Sequence, residues 1–259
     1  MAYAHWFEPG HVAIVTGASR GFGRALAAEL ARLGLKLIVD GRDEASLAQA
    51  REALARDTEV VALRGDVCDA EHVHALVRAA EQRFGRLDLI VNNASTIGRS
   101  PLPRLDELSP VAFERIFTTN VYAPLHLTQH ALPLLRRAGG GTVVNVSSDA
   151  AVNAYEGWGG YGASKAALDH LSRVMAVELA ADGISIIAAD PGDMDTELHA
   201  QAVPGADRAA LAKPEAVVPA LLEVIASKRP PFARVKLQSL RIATEPPNER
   251  DTAVAEARA

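Results

Sequence analysis

Among 259 residues the chain has a single cysteine, Cys68, which excludes an intrachain disulfide framework and a cysteine-rich metal site. Aromatic residues make up only 5% of it, and acidic residues outnumber basic ones by 32 to 27, a net charge of −5. That balance gives no basic footprint for nucleic acid or an anionic lipid surface. No apolar run approaches the length needed to cross a bilayer. The opening MAYAHWFEPG lacks the basic stretch and apolar core of a secretory signal. These absences lead us to expect a soluble, cytoplasmic protein whose partner is a small molecule, with no nucleic acid and no membrane.

What is present is a chain 49% hydrophobic, dominated by alanine, leucine and valine. Short β-rich runs at 11–16, 36–40, 59–64, 87–91, 141–147 and 184–189 alternate with helical stretches at 22–33, 44–56, 70–84, 110–137 and 161–181. Gly34, Gly85 and Gly183 follow helices, where they commonly stop. Apolar, unalternated strands separated by helices predict an α/β fold: a doubly wound parallel sheet with helices on both faces, three layers in a single domain. Ligands of such sheets bind beyond the carboxyl ends of the strands. After Pro191 the rhythm changes. A mixed segment at 192–213 precedes a shorter helix at 215–227 and a last strand at 232–238. The domain is expected to occupy 1–243, and the polar, proline-containing tail at 244–259 to be loosely ordered.

Two stretches carry chemistry. VAIVTGASRGFGRALA joins the first strand to the first helix with Gly17, Gly21 and Gly23. Glycines there allow a tight turn and a close approach of backbone N–H groups to a pyrophosphate, with the helix N-terminus adding donors. A merely tight turn explains such a trio too, but its place between a strand and a helix favours a dinucleotide. The second stretch is GGYGASKAAL, with Tyr161 and Lys165 one helical turn apart and so on one face. Alone the pair reads as an ordinary helix start. A nearby ammonium favours the phenolate, however, and would bring the tyrosine toward a range useful for proton transfer.

The spacing Thr-Gly-x-x-x-Gly-x-Gly, with several further motifs in order, resembles the short-chain dehydrogenase/reductase family over roughly residues 11–196. GDV at 65–67, VNNAS at 91–95, TTN ending at Asn120, NVSS, YGASK and PGDMDT are similar to its signatures, with Ser95 where a glycine is usual. The resemblance implies a Rossmann-type oxidoreductase that moves a hydride between a nicotinamide and a carbonyl/alcohol pair. It implies Tyr161 as general acid/base and Lys165 on the nicotinamide ribose. Ser148 would position the substrate oxygen, and Asn120 would hold a water leading from Lys165 to solvent. Cofactor contacts are expected from Gly17, Ser19, Arg20, Gly21, Phe22, Gly23, Arg42, Asp66, Val67, Asn93, Ala94, Tyr161, Lys165, Pro191, Gly192, Met194 and Thr196. Asp66 would be the adenine partner. The alternative reading is a catalytically silent dinucleotide-binding regulator or scaffold, although such proteins usually lose the tyrosine or lysine.

The resemblance places Gly41 where NAD-binding relatives carry a ribose-binding acid, with Arg42 next to it and Arg20 opposite. We therefore expect NADP rather than NAD, with Asp40 as the counter-argument. Ser148, Tyr155, Trp158 and Tyr161 are the substrate candidates; Asp190 either anchors a turn or points a charge at the site. His126 and His130, at i and i+4, and His72 with His74 lack an acidic or cysteine partner at ligand spacing. They are read as packing or partner-facing, with no metal site expected. The helical stretches beginning near 110 and 161 are expected to form a homodimer, possibly a homotetramer.

Overall fold

Valine- and isoleucine-rich strands with no polar alternation need cover on both faces, and here they receive it. The computed structural model describes residues 6–227 and 232–240. Its strands are β1 (Val12–Val15), β2 (Lys36–Gly41), β3 (Val60–Arg64), β4 (Leu89–Asn92), β5 (Gly141–Val146), β6 (Ile184–Asp190) and β7 (Phe232–Lys236). They form one sheet, all parallel, in the order β3-β2-β1-β4-β5-β6-β7. The helices are α1 (Gly21–Arg32), α2 (Glu44–Leu54), α3 (Ala70–Phe84), α4 (Pro110–Phe117), α5 (Ala123–Arg137), α6 (Gly159–Leu179), α7 (Glu197–Ala202) and α8 (Pro214–Ala226).

The alternation of the pleat divides β1 between two cores. Ala13 and Val15 pack with Phe22, Leu26 and Leu30 of α1 and with Val217 and Leu221 of α8. Val12 and Ile14 pack on the other side with Val73 and Leu76 of α3, Leu127 and Leu134 of α5, and Met175 of α6. Helix starts follow local chemistry: Asp43 accepts from the Ser46 N–H, Asp69 from Glu71 and Ser109 from Ala112. β1 lies between β2 and β4: the chain winds one way to β3, then crosses back to β4 and winds the other way, which opens a crevice above the strand ends. The single-domain, doubly wound sheet expected from the sequence is the one observed.

Three expectations need correction. The helix anticipated over 110–137 is two helices separated by a π turn, Thr118–Tyr122; the extra backbone residue places Asn120 fully inside. The mixed segment 192–213, to which the sequence assigned no element, contains α7 and a 3₁₀ turn, Arg208–Ala210. It is held by a bridge between Met194 and Ala212 and by ion pairs of Asp195 with Arg208 and Lys213. The last strand stops at Lys236 and continues as a 3₁₀ turn, Leu237–Ser239. The tail expected at 244–259 lies outside the described residues.

Candidate active site

Above the carboxyl ends of β1, β2 and β4 lies a cavity of about 700 Å³, into which Gly17, Ser19, Arg20, Gly21, Phe22, Arg42, Asp66, Val67, Asn93, Ala94, Met194 and Thr196 all project. Twelve of the expected cofactor residues thus share one wall. Gly23 sits behind it, where a Cβ would come within 2.3 Å of Asn93 Nδ2 and 2.6 Å of the Gly17 carbonyl. Gly17 has φ +64° and lies against the Ala94 backbone. The loop is tied down by Asn93, whose Nδ2 donates to the carbonyls of Thr16 (2.8 Å) and Gly17 (3.1 Å). Thr16 Oγ1 accepts from the N–H groups of Asn93 and Ala94. Unlike α2, α3 and α4, helix α1 has no side-chain cap, so its first-turn amides face the cavity as unpaired donors. An anionic pyrophosphate fits that end.

The end of β2 answers the question raised by Asp40. Its carboxylate is 1% exposed and turned beneath the glycine loop. Oδ1 accepts from the Gly17 N–H at 2.6 Å, and Oδ2 accepts from His72 Nε2 at 3.0 Å. Gly65 makes room for that ring, since a Cβ there would stand 2.1 Å from His72 Nδ1. Asp40 borders the cavity, but both carboxylate oxygens are already committed to these partners. Arg42, by contrast, is exposed on the cavity wall, and no ion pair engages its guanidinium among the described residues. Arg64 Nε donates to the Arg42 carbonyl, adding a second positive charge. Arg20 reaches across to form an ion pair with Glu197 of α7. Asp66 bonds the Cys68 N–H and Arg115. Burial would raise its carboxyl, but those two bonds outweigh it and hold it below the ordinary value.

Beside the cavity the structure gathers Ser95, Asn120, Ser148, Tyr161 and Lys165. Tyr161 and Lys165 are buried within α6, the ammonium 5.5 Å from the phenol ring centre. Burial pushes the phenol up to about 12, while hydrogen bonds with Ser148 and Ser95 pull it down. Burial also pushes Lys165 down to about 8, opposed by Asp169. This differs from the expectation that Lys165 lowers the phenol: desolvation disfavours both charged forms and dominates here. The Lys165 Nζ donates to the Val146 carbonyl at 2.7 Å. Asn120 is a brace. Its Oδ1 accepts from Ser95 Oγ and the Thr96 N–H, and its Nδ2 donates to the Thr96 carbonyl and Ser164 Oγ. With two bonds accepted and two donated, the side-chain amide is saturated, and a water held by Asn120 would meet its backbone instead.

Ser95, the departure from the family pattern, introduces no backbone strain, because no non-glycine residue has positive φ among the described residues. Its hydroxyl joins Asn120 to the tyrosine. The substrate candidates separate. Trp158 meets the Tyr161 ring edge-on at 5.8 Å and joins Ile97, Leu102, Leu198 and Ala202 in an apolar cluster around it. Tyr155 turns away, donating to Asp149 Oδ2 at 2.6 Å. Asp190 anchors its turn by accepting from the Gly192 N–H at 3.0 Å, with Pro191 buried between them. Burial raises its carboxyl, against Gly192 and Arg234. Sequence reasoning missed Arg234 of β7, which donates to Asp169 Oδ2 (2.7 Å) and to the Ser148 carbonyl (3.0 Å). No local motif marks it, because its partners lie 65 and 86 residues away.

Residues 11–207 match the short chain dehydrogenase family model. A tropinone reductase homolog of Arabidopsis thaliana is 35% identical over 199 residues, 74% of this chain and 73% of that protein. An NADPH-dependent pterin aldehyde reductase from the same plant is 34% identical over 193 residues, 71% of this chain and 75% of that protein. Among solved structures, a putative short chain dehydrogenase of Shigella flexneri complexed with NADP superposes with a TM-score of 0.80. It is 28% identical, and the match covers 90% of this chain and 98% of that one.

The Asp40 latch is testable. Asp40→Ala strips the partners from the Gly17 N–H and the His72 ring, and each buried group left unpaired costs about 1–3 kcal/mol. Urea denaturation should show a lower midpoint, and fluorescence titration a weaker dinucleotide affinity. A variant with parental stability and affinity would show that the latch does not hold the loop.

Proposed function

The chain belongs to the short-chain dehydrogenase/reductase family and is an NAD(P)-dependent oxidoreductase, and from that premise we propose that it uses NADPH to reduce a carbonyl on a small substrate with an apolar body. The observation that carries this reading is the buried Tyr161 hydroxyl, bonded with Ser148 and Ser95 at the edge of the dinucleotide-sized cavity. The cofactor supplies the hydride. The α1 amides hold its pyrophosphate, and Arg42 with Arg20 receives a 2′-phosphate. Reaching that phosphate requires Arg20 to exchange Glu197 for it. Ile97, Leu102, Trp158 and Leu198 enclose the substrate's apolar part and exclude water.

Ser148 Oγ holds the substrate oxygen and stabilises the charge that develops there. Tyr161 gives its proton to that oxygen. The same hydroxyl takes the proton back in the oxidation, and the supply of reduced or oxidised cofactor sets the direction. Lys165, as its ammonium, stabilises the phenolate left behind and orients the nicotinamide ribose. Asn120 and Arg234 keep the Ser95–Thr96 loop and Ser148 in place.

NADPH oxidation followed by absorbance across ketones, ketosugars, quinones and acyl-thioester ketones tests the activity. Tyr161→Phe should lower turnover by about 10²–10⁴-fold while leaving NADPH affinity unchanged. Parental turnover in that variant on a verified substrate would overturn the assignment.

For cofactor choice, the Arg42 guanidinium on the cavity wall predicts that Arg42→Ala weakens NADPH binding by about tenfold and leaves NADH binding alone. Tighter NADH than NADPH binding in the parent would refute it.

The α4–α6 side leaves Val111, Tyr122, Val174 and Val177 exposed, Val111 and Val177 to 76% and 77%, and a second copy would cover them. Light scattering should give at least twice the mass of one chain at micromolar concentration; a monomer would contradict this.

A further inference from the structure

Sequence spacing pairs His72 with His74 and His126 with His130, but the fold distributes them differently. His72 turns into the sheet to meet Asp40. His74, leaving the opposite side of α3, joins the two α5 histidines. The Nε2 atoms of His130 and His126 are 2.8 Å apart, and those of His130 and His74 are 2.9 Å apart. Ring atoms of all three able to ligate a metal lie within 4.8 Å of one another. We propose that His74, His126 and His130 form a binding site for a divalent transition-metal ion that staples α3 to α5.

The hydrogen bonding favours a cation. A neutral imidazole nitrogen carries either one N–H or one lone pair, both in the ring plane. His130 Nε2 therefore cannot make two good hydrogen bonds to two further Nε2 atoms, and at least one of the contacts is poorly matched. A metal ion resolves this by accepting three lone pairs at once. Tetrahedral Zn–N bonds of 2.0–2.1 Å set the nitrogens about 3.3 Å apart, so small ring rotations convert the present spacings.

The surroundings agree. With Nε2 on the metal, Nδ1 carries the proton, and His74 Nδ1 lies 3.7 Å from the Glu71 carboxylate, the kind of outer partner that orients ligating histidines. Tyr122 stacks on His126 with ring centres 5.3 Å apart. His126 is 9% exposed and His130 lies open, so the ion would be held at the surface with its fourth position reached by water. Three imidazoles with no thiolate or hydroxyl-rich surroundings suit Zn²⁺, Cu²⁺ or Ni²⁺ better than Mg²⁺ or Ca²⁺. None of the three histidines is assigned a part in the proposed reduction.

The test uses tag-free full-length protein, stripped with chelator and dialysed against micromolar Zn²⁺. Metal is counted by mass spectrometry, and Co²⁺ is titrated for the visible bands of a tetrahedral ion. One Zn²⁺ per chain is expected, with affinity falling at least about tenfold in both His130→Ala and His74→Gln and unchanged in His170→Ala, an exposed histidine elsewhere on α6. Circular dichroism confirms folding of each variant, and NADPH oxidation by the stripped forms should match the parent. No stoichiometric binding by the parent, or parental affinity in folded His130→Ala and His74→Gln, overturns the proposal.

Discussion

The ends of β1 and β4 are knotted together by hydrogen bonds, and the cleft depends on that knot. Thr16 Oγ1 donates to the Val91 carbonyl and accepts two backbone N–H groups from the β4 side, while Asn93 returns its amide to the carbonyls of Thr16 and Gly17. Any Cβ at Gly17 or Gly23 would push this contact apart. With the two strand ends fixed, the uncapped start of α1 is aimed at a definite point, and the cavity acquires a floor. Asp40 extends the same device to a third strand, binding the glycine loop from below and α3 through His72. A network of charged and amide groups at the crossover point thus converts the topology into a positioned set of donors.

Burial does a second kind of work around Tyr161. Removing water raises the phenol and lowers the ammonium, so each group is held nearer its neutral form than in solution. Local contacts moderate this: those with Ser148 and Ser95 pull the phenol back down, and the Val146 carbonyl holds the lysine head. Behind them a ladder of buried amides and hydroxyls runs from Asn92 to Asn145 to Ser172. Satisfied polar groups of this kind fix a geometry that apolar packing leaves freer.

The π turn at Thr118–Tyr122 and the Arg234 contacts show how distant segments complete the site. One extra residue in the helix carries Asn120 inward to brace the Ser95–Thr96 loop against α6. From the far edge of the sheet, Arg234 fastens the Ser148 carbonyl and Asp169. Both are structural supports for the Ser95–Thr96 loop and Ser148 beside the cavity.

The sequence by itself determined the alternation of strands and helices, the parallel sheet, the glycine loop and the Tyr161–Lys165 pair. These are local properties: apolar runs, helix punctuation and fixed short spacings are written in neighbouring residues. Twelve residues expected from it as cofactor contacts do line one cavity, because their motifs follow strand ends, which converge in a doubly wound sheet. Tertiary structure alone decided the rest. That Asp40 faces inward, that Asn120 is fully bonded, that Trp158 approaches the tyrosine while Tyr155 leaves it, and that His74 abandons His72 for His126 and His130 all depend on contacts between segments far apart in the chain. Such contacts are set by helix rotation and by competition for buried hydrogen-bond partners, and neither quantity is carried by a short window of sequence.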